Sequence, residues 1–116
     1  MSLQFIVTGS FVVGQTITNS VTLNECSLVG ITTGSNLTGT AMTFTVSDDG
    51  SSFFPLYDNT SIEVSLTITT AARSYSLSPS VFFPWNFVKA RLGTSASAVA
   101  QTTVNSFVDF NMKKIP

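Results

Sequence analysis

The chain has 116 residues, of which 43% are hydrophobic and only 9% are charged, and its formal net charge is −1. This length and apolar content predict one globular domain over residues 1–116 and exclude a disordered chain. Because five basic residues are outnumbered by six acidic ones and no apolar run approaches the ~18 residues of a membrane helix, we expect neither a nucleic-acid nor a membrane partner.

Apolar and polar side chains alternate along much of the chain, which indicates half-buried β-strands. In "AMTFTVS" (41–47) the alternation predicts that the apolar side chains face the core and that Thr43, Thr45 and Ser47 face solvent. Other strands are predicted at 3–8, within 11–23, and at 27–31, 53–57, 61–69, 74–77, 86–92 and 102–111. The total is eight or nine short strands.

Two of these strands carry further expectations. In "SIEVSLTIT" (61–69) all four aliphatic residues, beginning with Ile62, are expected to point inward. In "NFVKARL" (86–92) the basic residues Lys89 and Arg91 are expected to meet solvent, while the apolar residues between them face the core.

One short helix is the exception to this pattern. In "LSPSVFFPW" (77–85), Ser78 is placed to cap a single helical turn that has Pro79 at its first position and ends at Pro84. Strands of this length, separated by turn residues every ~8 to 12 positions, predict an all-β fold with almost no helix, a β-sandwich of jelly-roll type.

The stretch "SDDGSSFFPLYD" (47–58) combines a glycine turn with three carboxylates. Asp48, Asp49 and Asp58 are hard oxygen ligands suited to calcium, but their spacing matches no EF-hand loop. Asp and Gly also favour the backbone conformations of a tight turn. We favour the turn, and we therefore predict no metal site.

Catalytic residues are not evident in this sequence. It has no histidine and one cysteine, Cys26, which we expect to pack as a small apolar side chain. No nucleophile motif of the Gly-x-Ser-x-Gly or Ser-x-x-Lys type is present. We therefore predict that the protein is not an enzyme and binds no cofactor.

Aromatic residues leave two functions open. Phe53, Tyr57 or Trp85 on an exposed face would stack on sugars, as in carbohydrate-binding modules, whereas large aromatics more often pack in the core. If Phe54 and Leu56 face inward, the alternate residues of the 53–57 strand face outward. The predicted interface then consists of Phe53, Pro55, Tyr57, Phe83, Pro84 and Trp85. Exposed apolar residues of this kind mark protein interfaces.

The order of motifs over residues 38–104 resembles a family of small proteins encoded among the structural genes of tailed bacteriophages. The resemblance runs from "SDDG" through "LYD", "EV" and "LSP" to "KARLGTS". The matching positions are Ser47, Asp49, Gly50, Phe53, Phe54, Leu56, Tyr57, Asp58, Glu63, Val64, Arg73, Leu77, Pro79, Phe82, Trp85, Lys89, Arg91, Gly93, Thr94, Ser95 and Gln101. Two positions depart from the family pattern: Pro55 stands in place of a polar residue and Pro84 in place of a glycine.

This resemblance implies a virion protein, made in the host cytoplasm, that decorates the capsid exterior as a cement protein. Its partner is then the major capsid protein. The low charge of the chain favours a homo-oligomer, a dimer or trimer, because little charge repulsion opposes close association. The alternative is a carbohydrate-binding or accessory module of a phage tail, neck or fibre that adheres to host polysaccharide.

Overall fold

The structure is a computed structural model, and it describes residues 4–23, 25–68, 72–102 and 104–114. The strands within these ranges are β1 (Gln4–Phe11), β2 (Val21–Thr22), β3 (Cys26–Thr33), β4 (Ala41–Ser47), β5 (Phe54–Pro55), β6 (Ser65–Thr67), β7 (Ser74–Ser76), β8 (Phe87–Leu92) and β9 (Ser106–Lys114). One helical turn, α1 (Pro79–Phe82), precedes β8. In the described ranges, no helix has the length and apolarity needed to cross a membrane.

The strands form two antiparallel sheets. The first sheet has the order β1-β9-β3-β7, and the second has the order β2-β8-β4-β5, with β6 also paired to β4. The pairs are nested along the chain, since β1 pairs with β9, β2 with β8, β3 with β7, and β4 with β5 and β6. The predicted all-β sandwich is confirmed. This nesting supports the jelly-roll assignment, because a jelly roll folds one long antiparallel ribbon into two sheets.

The core lies between the two sheets. It is built from the inward side chains of the long strands, such as Ile31, Phe44, Val88 and Phe110, which are all fully buried. The ring of Phe82 in α1 meets that of Phe44 edge to face, with 5.2 Å between centroids, so the helical turn closes one end of the sandwich. Cys26 is buried in the same cluster, as the sequence predicts. Each such apolar side chain contributes about 1.5–3 kcal/mol on burial.

Several predicted elements need correction. The 53–57 strand is reduced to β5, and the 61–69 strand to β6. Pro55 has no N–H group to continue the ladder, and the chain turns away from β4 between these strands, where Ser61 has a φ of 67°. The helical turn is confirmed with Pro79 at its start, but the predicted cap Ser78 makes no capping hydrogen bond. Positions 3, 69 and 103 of the predicted strands lie outside the described residues.

The predicted exposure of the second sheet is also wrong in part. Thr43, Thr45 and Ser47 are 0%, 6% and 2% exposed rather than facing solvent, and the Arg91 side chain is only 11% exposed. In contrast, Ile62, which was expected in the core, is 64% exposed. The reason is that groups from residues 53–63 and 93–97 contact Lys89, Arg91 and Thr43 on the outer face of this sheet. We call these two segments the cover.

Candidate functional site

The acidic turn that follows β4 is held by its own side chains. Ser47 Oγ accepts hydrogen bonds from the backbone N–H groups of Asp49 at 3.2 Å and Gly50 at 2.9 Å. Asp49 Oδ1 accepts from the N–H groups of Ser51 at 2.8 Å and Ser52 at 3.0 Å. These bonds, from Ser52 first and Ser51 second, lower the pKa of Asp49 to about 2. Gly50 has a φ of 80°, which disfavours other residues.

Asp58 plays the same part in the next loop. Its Oδ1 accepts hydrogen bonds from the hydroxyl of Thr60 at 2.6 Å and from the N–H groups of Thr60 and Ile62 at 2.8 and 3.1 Å. The Thr60 hydroxyl is the main reason that the pKa of Asp58 is lowered. Within the described ranges no three His, Cys, Asp or Glu side chains are grouped so that they could hold a metal ion. The hydrogen bonds that Asp49 and Asp58 accept from backbone N–H groups hold the two loops that follow them.

Two adjacent clefts lie beside this turn, at the margin of the second sheet. Their volumes are about 350 Å³ and 460 Å³, and they share Leu56, Tyr57 and Trp85 as lining residues. We call the two clefts together the aromatic trough. Its other lining residues are Val46, Ser47, Asp48, Asp49, Ser52, Phe54 and Pro55 in the first cleft and Asp58, Asn59, Val64, Ser80, Val81 and Pro84 in the second.

The structure brings together most of the predicted interface residues. Pro55, Tyr57, Pro84 and Trp85 all line the trough, so the loop after α1 folds beside the 53–57 segment. Of these four, only Trp85 is half-buried and packs against the core. Phe83 is 61% exposed and adjoins the trough in sequence without lining it.

The predicted exposure of Phe53 and Phe54 is wrong, although the predicted direction of Phe54 is correct. Phe54 is paired with Val46 in the ladder, and it therefore points to the inner side of the sheet as expected. It is nevertheless 65% exposed, because it lies at the margin, where it lines the first cleft. Phe53 is half-buried in the cover, with Lys89 Nζ 4.3 Å from its ring centroid. Leu56 is buried, as predicted.

A polar network in the cover was missed by the sequence reasoning. Arg91 Nη2 donates to Glu63 Oε2 at 2.7 Å, and the two side chains are 11% and 14% exposed. The backbone N–H of Ser95 also donates to the Glu63 carboxylate at 3.2 Å. The hydroxyls of Ser95 and Tyr57 are 3.0 Å apart. The basic residues that alternate with apolar ones in "VKAR" indicate exposure to solvent, so no direct signal in the sequence indicated that Arg91 binds Glu63.

Other motif positions have structural roles as well. Gly93 has a φ of 83°, and a Cβ atom there would lie 2.3 Å from the Ser97 carbonyl oxygen, so the turn into the cover requires glycine. Gln101 is 1% exposed, and its Nε2 donates to the carbonyls of Asn36 at 2.5 Å and Val104 at 2.9 Å. Gly93 and Gln101 therefore maintain turns and loops of the fold.

No protein-family model matches the chain, and no curated protein matches its sequence. Among solved structures, the crystal structure of the SPBc2 prophage-derived protein YomS is similar, with a TM-score of 0.55 and 10% sequence identity. The similarity covers 97% of this chain and 96% of that one. At this identity, the comparison shows that the two chains share a fold.

Proposed function

We propose that the protein is a structural component of a bacteriophage virion, and that it decorates the outside of the capsid as a cement protein bound to the major capsid protein. The observation that carries the proposal is the aromatic trough with its exposed rim. The motif order over residues 38–104 supports a phage origin. The fold shared with a prophage-derived protein agrees with this origin, although at 10% identity it bears on the fold alone.

The rim of the trough has the properties of a protein interface. Phe54, Tyr57 and Phe83 are 65%, 48% and 61% exposed, on two segments that meet at the trough. Aromatic side chains are enriched at the centres of interfaces, and exposed apolar patches mark such sites. Because Pro55 cannot donate to a sheet ladder, a partner here contacts side chains rather than extending the second sheet.

The proposed action of the protein is mechanical. A decoration protein that binds across the seam between capsid subunits makes contacts that exist only in the assembled shell, so its binding stabilises the shell against disassembly. At a free concentration of about 100 times its Kd, each bound copy adds roughly 2.7 kcal/mol. Homo-oligomers increase this effect because several copies of the trough engage the repeated lattice together.

Phe54→Ala tests this proposal against a matched control, Ile62→Ala. The two residues are 65% and 64% exposed, but only Phe54 lines the trough. In co-sedimentation with capsids that lack the protein, we expect Phe54→Ala to weaken binding by about 1–4 kcal/mol, as for aromatic interface anchors. Ile62→Ala should bind like the native protein. Equal binding by both variants, or no binding of the native protein, would contradict the cement function.

The second candidate is a carbohydrate-binding or accessory module of a phage tail, neck or fibre. It is favoured by the arrangement of Tyr57 and Trp85 beside the polar side chains of Asp48, Asn59 and Ser80, since sugars stack on aromatics and hydrogen-bond to such groups. A glycan array with the native protein separates the two functions. Binding of a host polysaccharide that Phe54→Ala and Tyr57→Ala abolish would support adhesion, and absence of any glycan signal would support the capsid role.

A further inference from the structure

The first sheet ends in a long open edge. Strand β1 is the outermost strand of this sheet, and all eight of its residues pair with β9 on one side only. Its sequence, "QFIVTGSF", contains no charge and no proline. Natural edge strands usually carry such residues because they prevent pairing with another chain. Strand β1 lacks these protections, whereas the opposite sheet has Pro55 in its edge strand β5.

Hydrogen bonds at the end of β1 reveal which of its backbone groups are free. The N–H of Ser10 points away from β9, because it donates to Asn19 Oδ1 at 3.1 Å. Its ladder partner, Phe107, turns its carbonyl to the N–H of Gly34 at 2.9 Å on the other side. Bonded and non-bonded pairs alternate along an antiparallel ladder. The N–H and C=O groups of Gln4, Ile6 and Thr8 therefore point to the open edge.

We propose that this edge pairs with β1 of a second copy, antiparallel and centred on Ile6, so that two four-stranded sheets become one sheet of eight strands. Asn19 occupies the edge at Ser10, and within the described part of the chain Gln4, Ile6 and Thr8 have no strand partner on that side. Only one two-fold register pairs all three of these residues. In it, Ile6 lies opposite Ile6 of the second copy and Gln4 lies opposite Thr8. This proposal names the contact of the homo-oligomer, and it does not depend on the capsid role.

The side chains in this register are complementary. Ile6, which is 62% exposed, packs against its own copy on the outer face of the sheet. Phe5, which is 41% exposed, meets the second copy's Val7 on the inner face. Both apolar side chains that β1 leaves exposed are thus covered by one strand pairing.

The charges on the neighbouring strand fit as well. In β9, Lys113 is aligned with Gln4, and Asp109 is aligned with Thr8. Since Gln4 faces Thr8 across the two-fold axis, the row that carries Lys113 of one copy continues to Asp109 of the other. Opposite charges therefore share each row, three strand spacings apart, and no like charges face each other in this register.

The contact is small beside the ~1,600 Å² of a standard interface, so we expect a weak dimer with a Kd on the order of 10–100 µM. Ile6→Cys tests the register directly. Opposed residues of a bonded antiparallel pair have Cα atoms ~5.5 Å apart, within the ~4.4–6.8 Å range of disulfides. Under mild oxidation at 100 µM protein, we expect Ile6→Cys to form a cross-linked dimer.

Thr8→Cys is the matched control. In the proposed register the two copies of Thr8 are offset by four residues, about 13 Å along the strand, so this variant should stay monomeric. The double variant Gln4→Cys/Thr8→Cys should cross-link. The native Cys26 is buried and should not react. Cross-linking of Thr8→Cys to the same extent as Ile6→Cys, or no cross-linking of Ile6→Cys, would overturn the proposal.

Sedimentation of the unmodified chain gives an independent test. The native protein should show a concentration-dependent dimer, and Ile6→Lys should remain monomeric with an unchanged circular dichroism spectrum, because Ile6 has no role in the core. A native protein that is monomeric at several hundred micromolar would refute the contact. The Phe54→Ala variant should still dimerise, so loss of capsid binding and loss of dimerisation are distinguishable.

Discussion

The two sheets carry similar hydroxyl-rich outer faces but differ in what lies on them. On the second sheet, the cover buries Thr43, whose hydroxyl donates to the Gly93 carbonyl at 2.8 Å. On the first sheet, the corresponding rows stay open to solvent, and the hydroxyls of Thr32 and Ser74 bond to each other at 2.8 Å. Threonine and serine can satisfy their hydrogen bonds locally in both settings. The residue type therefore does not reveal which face is buried.

The difference between the faces also separates their roles. The second sheet uses its own chain as a cover, and the margin of this cover forms the aromatic trough. The first sheet has no such segment over it among the described residues, and its strand β1 is an open edge. We infer that the covered sheet presents side chains to a partner, while the open sheet presents backbone groups to a second copy.

Among variants that compare the two sheets, removal of the Glu63–Arg91 ion pair should cause the largest loss of stability. Glu63→Ala leaves the Arg91 side chain, 11% exposed, without its carboxylate. We expect a loss of about 1–3 kcal/mol in the free energy of unfolding, less than the ~3–5 kcal/mol for breaking a fully buried pair. Denaturant unfolding at pH 7 measures it.

The control for this variant lies on the open face. Asp109 accepts a hydrogen bond from the Thr8 hydroxyl at 2.5 Å in an exposed position, so Asp109→Asn should cost less than about 0.5 kcal/mol, as for surface substitutions. If the two variants lose the same stability, the cover does not protect its ion pair from solvent and the two faces are energetically alike.

A smaller effect is expected where Lys89 lies over the ring of Phe53 at 4.3 Å. Lys89→Met keeps an unbranched apolar side chain on the ring but removes the charge, and it should lower stability by roughly 0.5–1 kcal/mol, the range of cation–π contacts near the surface. Lys113→Met, on the open sheet, is the control and should be neutral. A neutral Lys89→Met would mean that Phe53 is held in the cover by apolar contact alone.

Much of the fold follows from local pattern. Alternation correctly placed β4 and β8 and their apolar side chains, and Pro79 correctly marked the helical turn. The exposure of Thr43 and Ile62 was not predictable, because it depends on the cover, whose contacts link Glu63 to Arg91 across 28 positions. Burial on a sheet's second face is decided by distant segments. The sequence predicted the trough only in part, through the aromatic residues at 53–57 and 83–85.

The smallest effect is expected at Asp49, in the turn between β4 and the cover, because its carboxylate is exposed to solvent. The N–H groups of Ser52 and Ser51 hold the pKa of this carboxylate at about 2 in the folded protein, below its ordinary value of 3.8. The folded state thus favours the charged form. The resulting stability is present above pH 3.8 and is lost as the pH falls towards 2.

Asp49→Asn keeps the accepting oxygen but removes the charge, so it isolates this contribution. We expect the native protein to be more stable than the variant at pH 7, and we expect the difference in urea midpoint to shrink between pH 3.8 and about 2. Asp48→Asn is the matched control, since the Asp48 carboxylate makes no hydrogen bond within the described part of the chain. A difference that stays constant with pH would show that Asp49 shapes the turn through geometry rather than charge.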